Sequence, residues 1–87
     1  MYVIVVYDVN VDRVNRVKKF LRRYLTWIQN SVFEGEITPA DLQEVKMGLK
    51  GIINEDEDMV VIYRLSSSKS LNREVMGVDK SGSEEII

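Results

Sequence analysis

Asp8 stands directly after the run Tyr2-Val-Ile-Val-Val-Tyr7, at the end of a segment too apolar to be a loop. The chain of 87 residues holds no histidine and no cysteine. An imidazole base, a Ser-His-Asp triad, a thiolate nucleophile, thiolate-bound zinc and disulfides are therefore excluded. A catalytic metal would have to sit on carboxylates, carbonyls and water, which favours magnesium, with manganese as its nearest substitute. Magnesium commonly takes only one or two protein carboxylates and keeps several waters, so Asp8 is a suitable ligand. Such an ion could lower the pKa of a bound water and steady charge developing on a phosphodiester. The bland alternative is a loop or capping aspartate with no chemistry.

Charge is distributed unevenly. The net charge of −2 conceals a segment, residues 13 to 23, that carries six of the twelve basic residues and no acidic one. Val14, Val17, Leu21, Tyr24, Leu25 and Ile28 fall on one stripe at helical spacing, which places Arg13, Arg16, Lys19 and Arg23 on a ridge beside it. Like charges three and four apart cost a few tenths of a kcal/mol per pair on an isolated helix, so the ridge works slightly against stability. A solvated face is the commoner explanation. A nucleic-acid surface becomes the better one only with a site nearby.

The elements that must position these groups follow from the pattern. Residues 2–7 are β-branched and aromatic at both parities, as for a central strand covered on both faces, with Asp8 sharing the parity of Tyr2, Ile4 and Val6. Asn10 and Asp12 mark a capping loop before the basic helix. Short strands at 27–29 and 32–37 flank the turn Asn30-Ser31. Thr38-Pro39-Ala40-Asp41 opens a second helix, along which Leu42, Val45, Leu49, Ile52 and Ile53 repeat. An acidic turn at 54–58 leads to a strand at 59–65, a polar loop at 66–73 and a short last strand at 74–78. The residues from 79 to 87 read as a flexible or partner-crossing tail of a single domain spanning 1–87.

Strand, helix, strand, strand, helix, strand is the order of an α+β ferredoxin-like plait, here with a short extra C-terminal strand. Both helices cover one sheet face. The other is apolar and bare, which predicts a two-fold homodimer with sheets facing and the two Asp8 carboxylates brought towards each other. The longest apolar run, residues 2–7, is far below the roughly 20 residues needed to cross a bilayer. It has neither basic residues before it nor a cleavage site after it, so a cytoplasmic protein without a membrane partner is expected.

Other groups carry less. Glu55-Asp56-Glu57-Asp58 lacks the spread of ligands and the glycine turn of a calcium loop and reads as a solvated turn. Trp27, Phe33 and Tyr7 could stack on bases, but aromatic residues on strands are usually core. Ser31 has no base in sequence and reads as a turn residue.

Tyr2-Val-Ile-Val-Val-Tyr-Asp8, the run Trp27-Ile-Gln-Asn-Ser-Val-Phe-Glu-Gly35 and the strand after the acidic turn together resemble the small CRISPR-associated spacer-acquisition family, the nuclease-like partner of the CRISPR integrase. The likeness spans nearly the whole chain, and residues 29–35 are its most specific part. It implies a ferredoxin-like homodimer in which the last strand of each chain extends its partner's sheet. It also implies a magnesium-dependent endonuclease acting on RNA or duplex DNA, with Asp8 as metal ligand. Tyr7, Arg16, Ser31 and Phe33 stand at positions that support cleavage in the family. Some relatives carry an arginine near Trp27, and this chain departs from them there. Members also serve as non-catalytic DNA-binding bridges between integrase subunits, a role in which the aspartate can be dispensable.

Overall fold

The β-branched run at the amino terminus becomes the middle of a sheet. The computed structural model describes residues 1–65 and 71–79. Along the chain lie β1 (Tyr2–Asp8), α1 (Val11–Leu21), β2 (Thr26–Gln29), β3 (Val32–Glu36), α2 (Pro39–Ile52), β4 (Met59–Leu65) and β5 (Leu71–Gly77). The strands form one sheet in the order β2-β3-β1-β4-β5, each neighbouring pair antiparallel. This is the expected α+β ferredoxin-like plait, with β5 added beyond β4.

Alternation along β1 decides which face is which. Val3, Val5 and Tyr7 are buried under the helices with Val60, Ile62 and Phe33, and Val17 and Leu21 of α1 and Leu42, Val45 and Leu49 of α2 close over them. Tyr2, Ile4, Val6 and Asp8 point the other way. Register places Tyr63, Val61 and Met59 of β4 opposite Ile4, Val6 and Asp8, and Val32 and Glu34 of β3 opposite Val6 and Ile4, on that same open face. Sheet and helices make two layers, and the least extent of the molecule is 22 Å.

Both helices begin as their sequences require. Asn10 caps α1 by accepting from Asp12 N at 2.9 Å, and Thr38 caps α2 by accepting from Asp41 N at 3.1 Å, with Pro39 in the first turn. The helices approach closely at Gly48, where the Phe20 ring lies where a Cβ would be, 2.1 Å from Cζ.

Two expectations are corrected. The apolar stripe of α1 runs on to Ile28 in sequence, yet the helix stops at Leu21. A turn follows, held by Tyr24 and Leu25 N–H bonds to Leu21 O, so Leu25 stays in the core off-helix while Ile28 belongs to β2 and is exposed. The last strand begins at Leu71 rather than Glu74, because Asn72 and Arg73 lie within the ladder opposite Arg64 and Tyr63. It pairs with β4 of its own chain along its full length. Two strands separated by only five residues pair at the least cost in loop entropy. Residues 80–87 of the expected tail lie outside the described residues. Among the described residues no helix is long and apolar enough to cross a membrane.

Candidate active site and nucleic-acid surface

Asp8 ends the central strand on the open face, exposed, with Met59 beside it on β4 and Gly77 next in the same row on β5. The turn at Ser31 abuts this end of the sheet, since Tyr7 N donates to Ser31 O at 3.1 Å. Asp8, Ser31, Met59 and Gly77 therefore gather at one edge of the open face.

The loop that follows Asp8 is tied down by a carboxylate the sequence reading placed in solvent. Asp58 is fully buried. It accepts four hydrogen bonds: from Arg13 Nε at 2.7 Å, Arg13 Nη2 at 3.2 Å, Asn10 N at 2.9 Å and Asn54 N at 2.8 Å. The bond from Arg13 holds the Asp58 carboxyl down to about 2, burial opposes this, and the Asn54 and Asn10 amides side with Arg13. Its backbone carbonyl accepts from Val78 N at 2.8 Å. Gly77, at φ 93°, passes so close that an added Cβ would lie 1.7 Å from Asp58 O. One residue thus joins the β1–α1 loop, the α2–β4 turn and the end of β5. Parity was the available signal: Asp58 shares the face of Val60 and Ile62, both fully buried.

The residues singled out by sequence do not form one constellation. Tyr7 and Phe33 lie on the helix side of the sheet, their rings stacked with centroids 6.2 Å apart. Phe33 is completely buried and Tyr7 nearly so, and Phe33 packs as core. Among the described residues the buried Tyr7 hydroxyl has no hydrogen-bond partner. Burial pushes this phenol above its ordinary value, against the opposing pull of Arg22, so it keeps its proton at neutral pH. Ser31 sits at the turn between the two faces.

Arg13 leaves the basic ridge. Its guanidinium is engaged by Asp58 and lies 3.4 Å from Glu57. Arg16, Lys19 and Arg23 remain together around a shallow hollow completed by Phe20 and Ile52, with Arg23 lying 5.8 Å from the Phe20 ring centroid and 5.7 Å from that of Tyr24. This ridge is on the helix layer, across the sheet from Asp8.

Among the described residues no three carboxylates gather to hold a metal. Asp8 is an exposed carboxylate at this end of the sheet. Such a ligand suits a cation that keeps most of its water and does not suit an all-protein cage.

The chain is an α+β plait whose central strand ends in a carboxylate on the open face of the sheet. The family model described as CRISPR associated protein Cas2 matches residues 1–73. The chain is 72% identical to the CRISPR-associated endoribonuclease Cas2 2 of Archaeoglobus fulgidus, covering all of this chain and 96% of the relative. It is 61% identical to the CRISPR-associated endoribonuclease Cas2 of Thermococcus kodakarensis over the whole of both. Among solved structures, a crystal structure of Cas2 superposes with a TM-score of 0.72 at 56% identity, covering 100% of this chain and 98% of that one. The Streptococcus pyogenes Cas2 crystal structure gives 0.70 at 39% identity, over 76% and 87% of the two chains. This chain belongs to the Cas2 family of CRISPR-associated proteins.

Proposed function

We propose that this protein is a metal-dependent endonuclease of CRISPR adaptation that cleaves phosphodiesters in RNA or duplex DNA, working in the cytoplasm as a homodimer with the open sheet faces apposed. The observation that carries this reading is the placement of Asp8 at the end of the central strand on an apolar face. A two-fold axis through that face would set two Asp8 carboxylates near each other, a repulsive arrangement unless a cation lies between them. The relatives named endoribonucleases support the activity. Bound there, magnesium or manganese would supply a water of lowered pKa and offset charge on the phosphodiester.

The chain's own part is positional. Asp8 would hold the cation from a strand end paired with Met59 of β4, and the Asp58 anchor fixes the loop immediately after it. Tyr7 faces the other side of the sheet and keeps its proton, so it does not act as a base. Without an evident general base, turnover should be slow.

The test compares wild type and Asp8→Asn on RNA and duplex DNA with magnesium, manganese or EDTA, measuring binding and cleavage together. Loss of metal-dependent cleavage by more than roughly 10²-fold with binding retained is expected. Undiminished cleavage by Asp8→Asn would refute the mechanism.

A second reading rests on the ridge of Arg16, Lys19 and Arg23, which lies across the sheet from Asp8 and needs nothing from it. There the dimer is a non-catalytic bridge between integrase subunits, gripping duplex backbone independently of sequence. Tight duplex binding without Asp8-dependent cleavage would favour it.

A further inference from the structure

α1 carries a second row of cations besides the ridge. Lys18 and Arg22, one turn apart, both reach the indole of Trp27 on β2, with Lys18 Nζ 5.3 Å and the Arg22 guanidinium carbon 5.8 Å from the ring centroid. Trp27 is nonetheless 42% exposed. Its Nε1 donates to Asn30 O at 3.0 Å, so the ring is pinned between helix and hairpin rather than swinging freely. β2 is an edge strand of the sheet, and all four of its residues are exposed.

Several other cations of the described residues pair with carboxylates. Arg13 pairs with Asp58 and Glu57, and Lys46 and Arg64 pair with Glu74. Among the described residues neither Lys18 nor Arg22 has a carboxylate partner, and each is held over an aromatic face instead. Beside them is an open hollow of about 400 Å³ lined by Asn15, Lys18, Lys19 and Arg22. Two like charges brought to one ring without a counter-ion leave an anionic ligand to complete the neutralisation. Lys18 lies in the last turn of α1 and Arg22 caps its C-terminus, and the exposure of Trp27 leaves part of the side chain open to a flat ligand.

We propose that Trp27, Lys18 and Arg22 form a subsite for single-stranded nucleic acid, in which an unpaired base stacks on the exposed part of the indole and its flanking phosphates meet Lys18 and Arg22. The subsite rests on the nucleic-acid reading above and deepens it. Stacking requires an accessible π-face, which a base within an intact duplex does not offer. The ridge of Arg16, Lys19 and Arg23 makes no such demand. The two cation rows of one helix therefore differ in what they grip: the ridge takes backbone of any form, and the Trp27 row takes strands with splayed bases.

Trp27 is the only tryptophan in the chain, so its emission reports this subsite directly. The full chain is titrated with a single-stranded RNA, the single-stranded DNA of the same sequence and the corresponding duplex, following tryptophan emission and, separately, anisotropy of end-labelled strands. Saturable quenching by both single strands, and little by the duplex, is expected. Trp27→Ala should weaken single-strand binding on the order of 5- to 100-fold with duplex binding changed less than about twofold, and Trp27→Phe should restore most of it. Lys18→Gln with Arg22→Gln, which keeps the indole, should lower single-strand affinity and salt dependence together; this variant carries the test if Trp27→Ala does not fold. Emission unmoved while anisotropy shows single strands saturating the protein would overturn the subsite and leave the ridge and Asp8 untouched. Equal losses for duplex and single strand in Trp27→Ala would overturn it too. Failure of wild type to bind any of the three nucleic acids would remove the underlying reading itself.

Discussion

Replacing Asp58 by Asn is the sharpest perturbation of the architecture behind the site. The side chain keeps its shape, but one oxygen becomes an amide that can only donate. Three donors surround it: the Asn10 and Asn54 amides and the Arg13 guanidinium. At least one is left without an acceptor, at about 1–3 kcal/mol, and Arg13 loses the counter-charge it meets at 2.7 Å. That charge has its own worth. A carboxyl held at about 2 in the folded chain, against an ordinary 3.8, contributes about 2 kcal/mol at neutral pH. Because the folded value is the lower one, this stability is present in full above the unfolded value. It is lost as the pH falls from about 4 through about 2. Together the terms give a loss of about 3–5 kcal/mol, the range for breaking a buried ion pair, and a fall in melting temperature of roughly 15 °C or more for a domain of this size. Thermal melts followed by circular dichroism, at fixed protein concentration from neutral pH to about 2.5, test it. The gap between wild type and Asp58→Asn should be wide at neutral pH and narrow on acidification. A gap under about 3 °C at neutral pH, or one that does not change with pH, would refute the reasoning.

Gly77→Ala should cost about 2–4 kcal/mol by urea denaturation, since the residue has φ 93° and its new Cβ would strike the Asp58 carbonyl. Two glycines of α2 should respond with opposite signs: Gly48→Ala drives a methyl into the Phe20 ring and should cost about 1–3 kcal/mol. Gly51→Ala meets nothing within 4 Å and should stabilise by about 0.5–1 kcal/mol. Replacing Arg16, Lys19 and Arg23 together by Ala should weaken duplex binding and flatten the slope of log affinity against log salt by about 2–3, measured by anisotropy across salt concentrations.

Why some of this was legible in the sequence and some was not comes down to distance along the chain. The caps at Asn10 and Thr38, the hairpin turn at Asn30 and the alternation that puts Asp8 on the open face are all local, set by residues within a few positions. The plait follows from the order of those elements. Asp58 was missed because four consecutive acids look alike by composition, while the partners that draw one of them inside, Arg13 and Asn10, are 45 and 48 residues away. Arg13 was placed on the ridge for the same reason: helical spacing says which way it points and nothing about what awaits it. The helix stripe overran Leu21 because the turn after it keeps Leu25 packed on the core without the helix continuing. Residues 71–73 were given to a loop because an edge strand has little need of an apolar pattern on its outer residues.

The central position of β1 also has a consequence for how the chain is made. Tyr2–Asp8 is synthesised before both of its neighbours in the sheet, residues 32–36 and 59–65. One flank of the strand must wait for residues 32–36 and the other for residues 59–65. During that interval a β-branched, uncharged hexapeptide has both hydrogen-bonding edges open, the circumstance that favours pairing with the wrong chain. Helix α1, local and basic, follows it at once and precedes β4 along the chain.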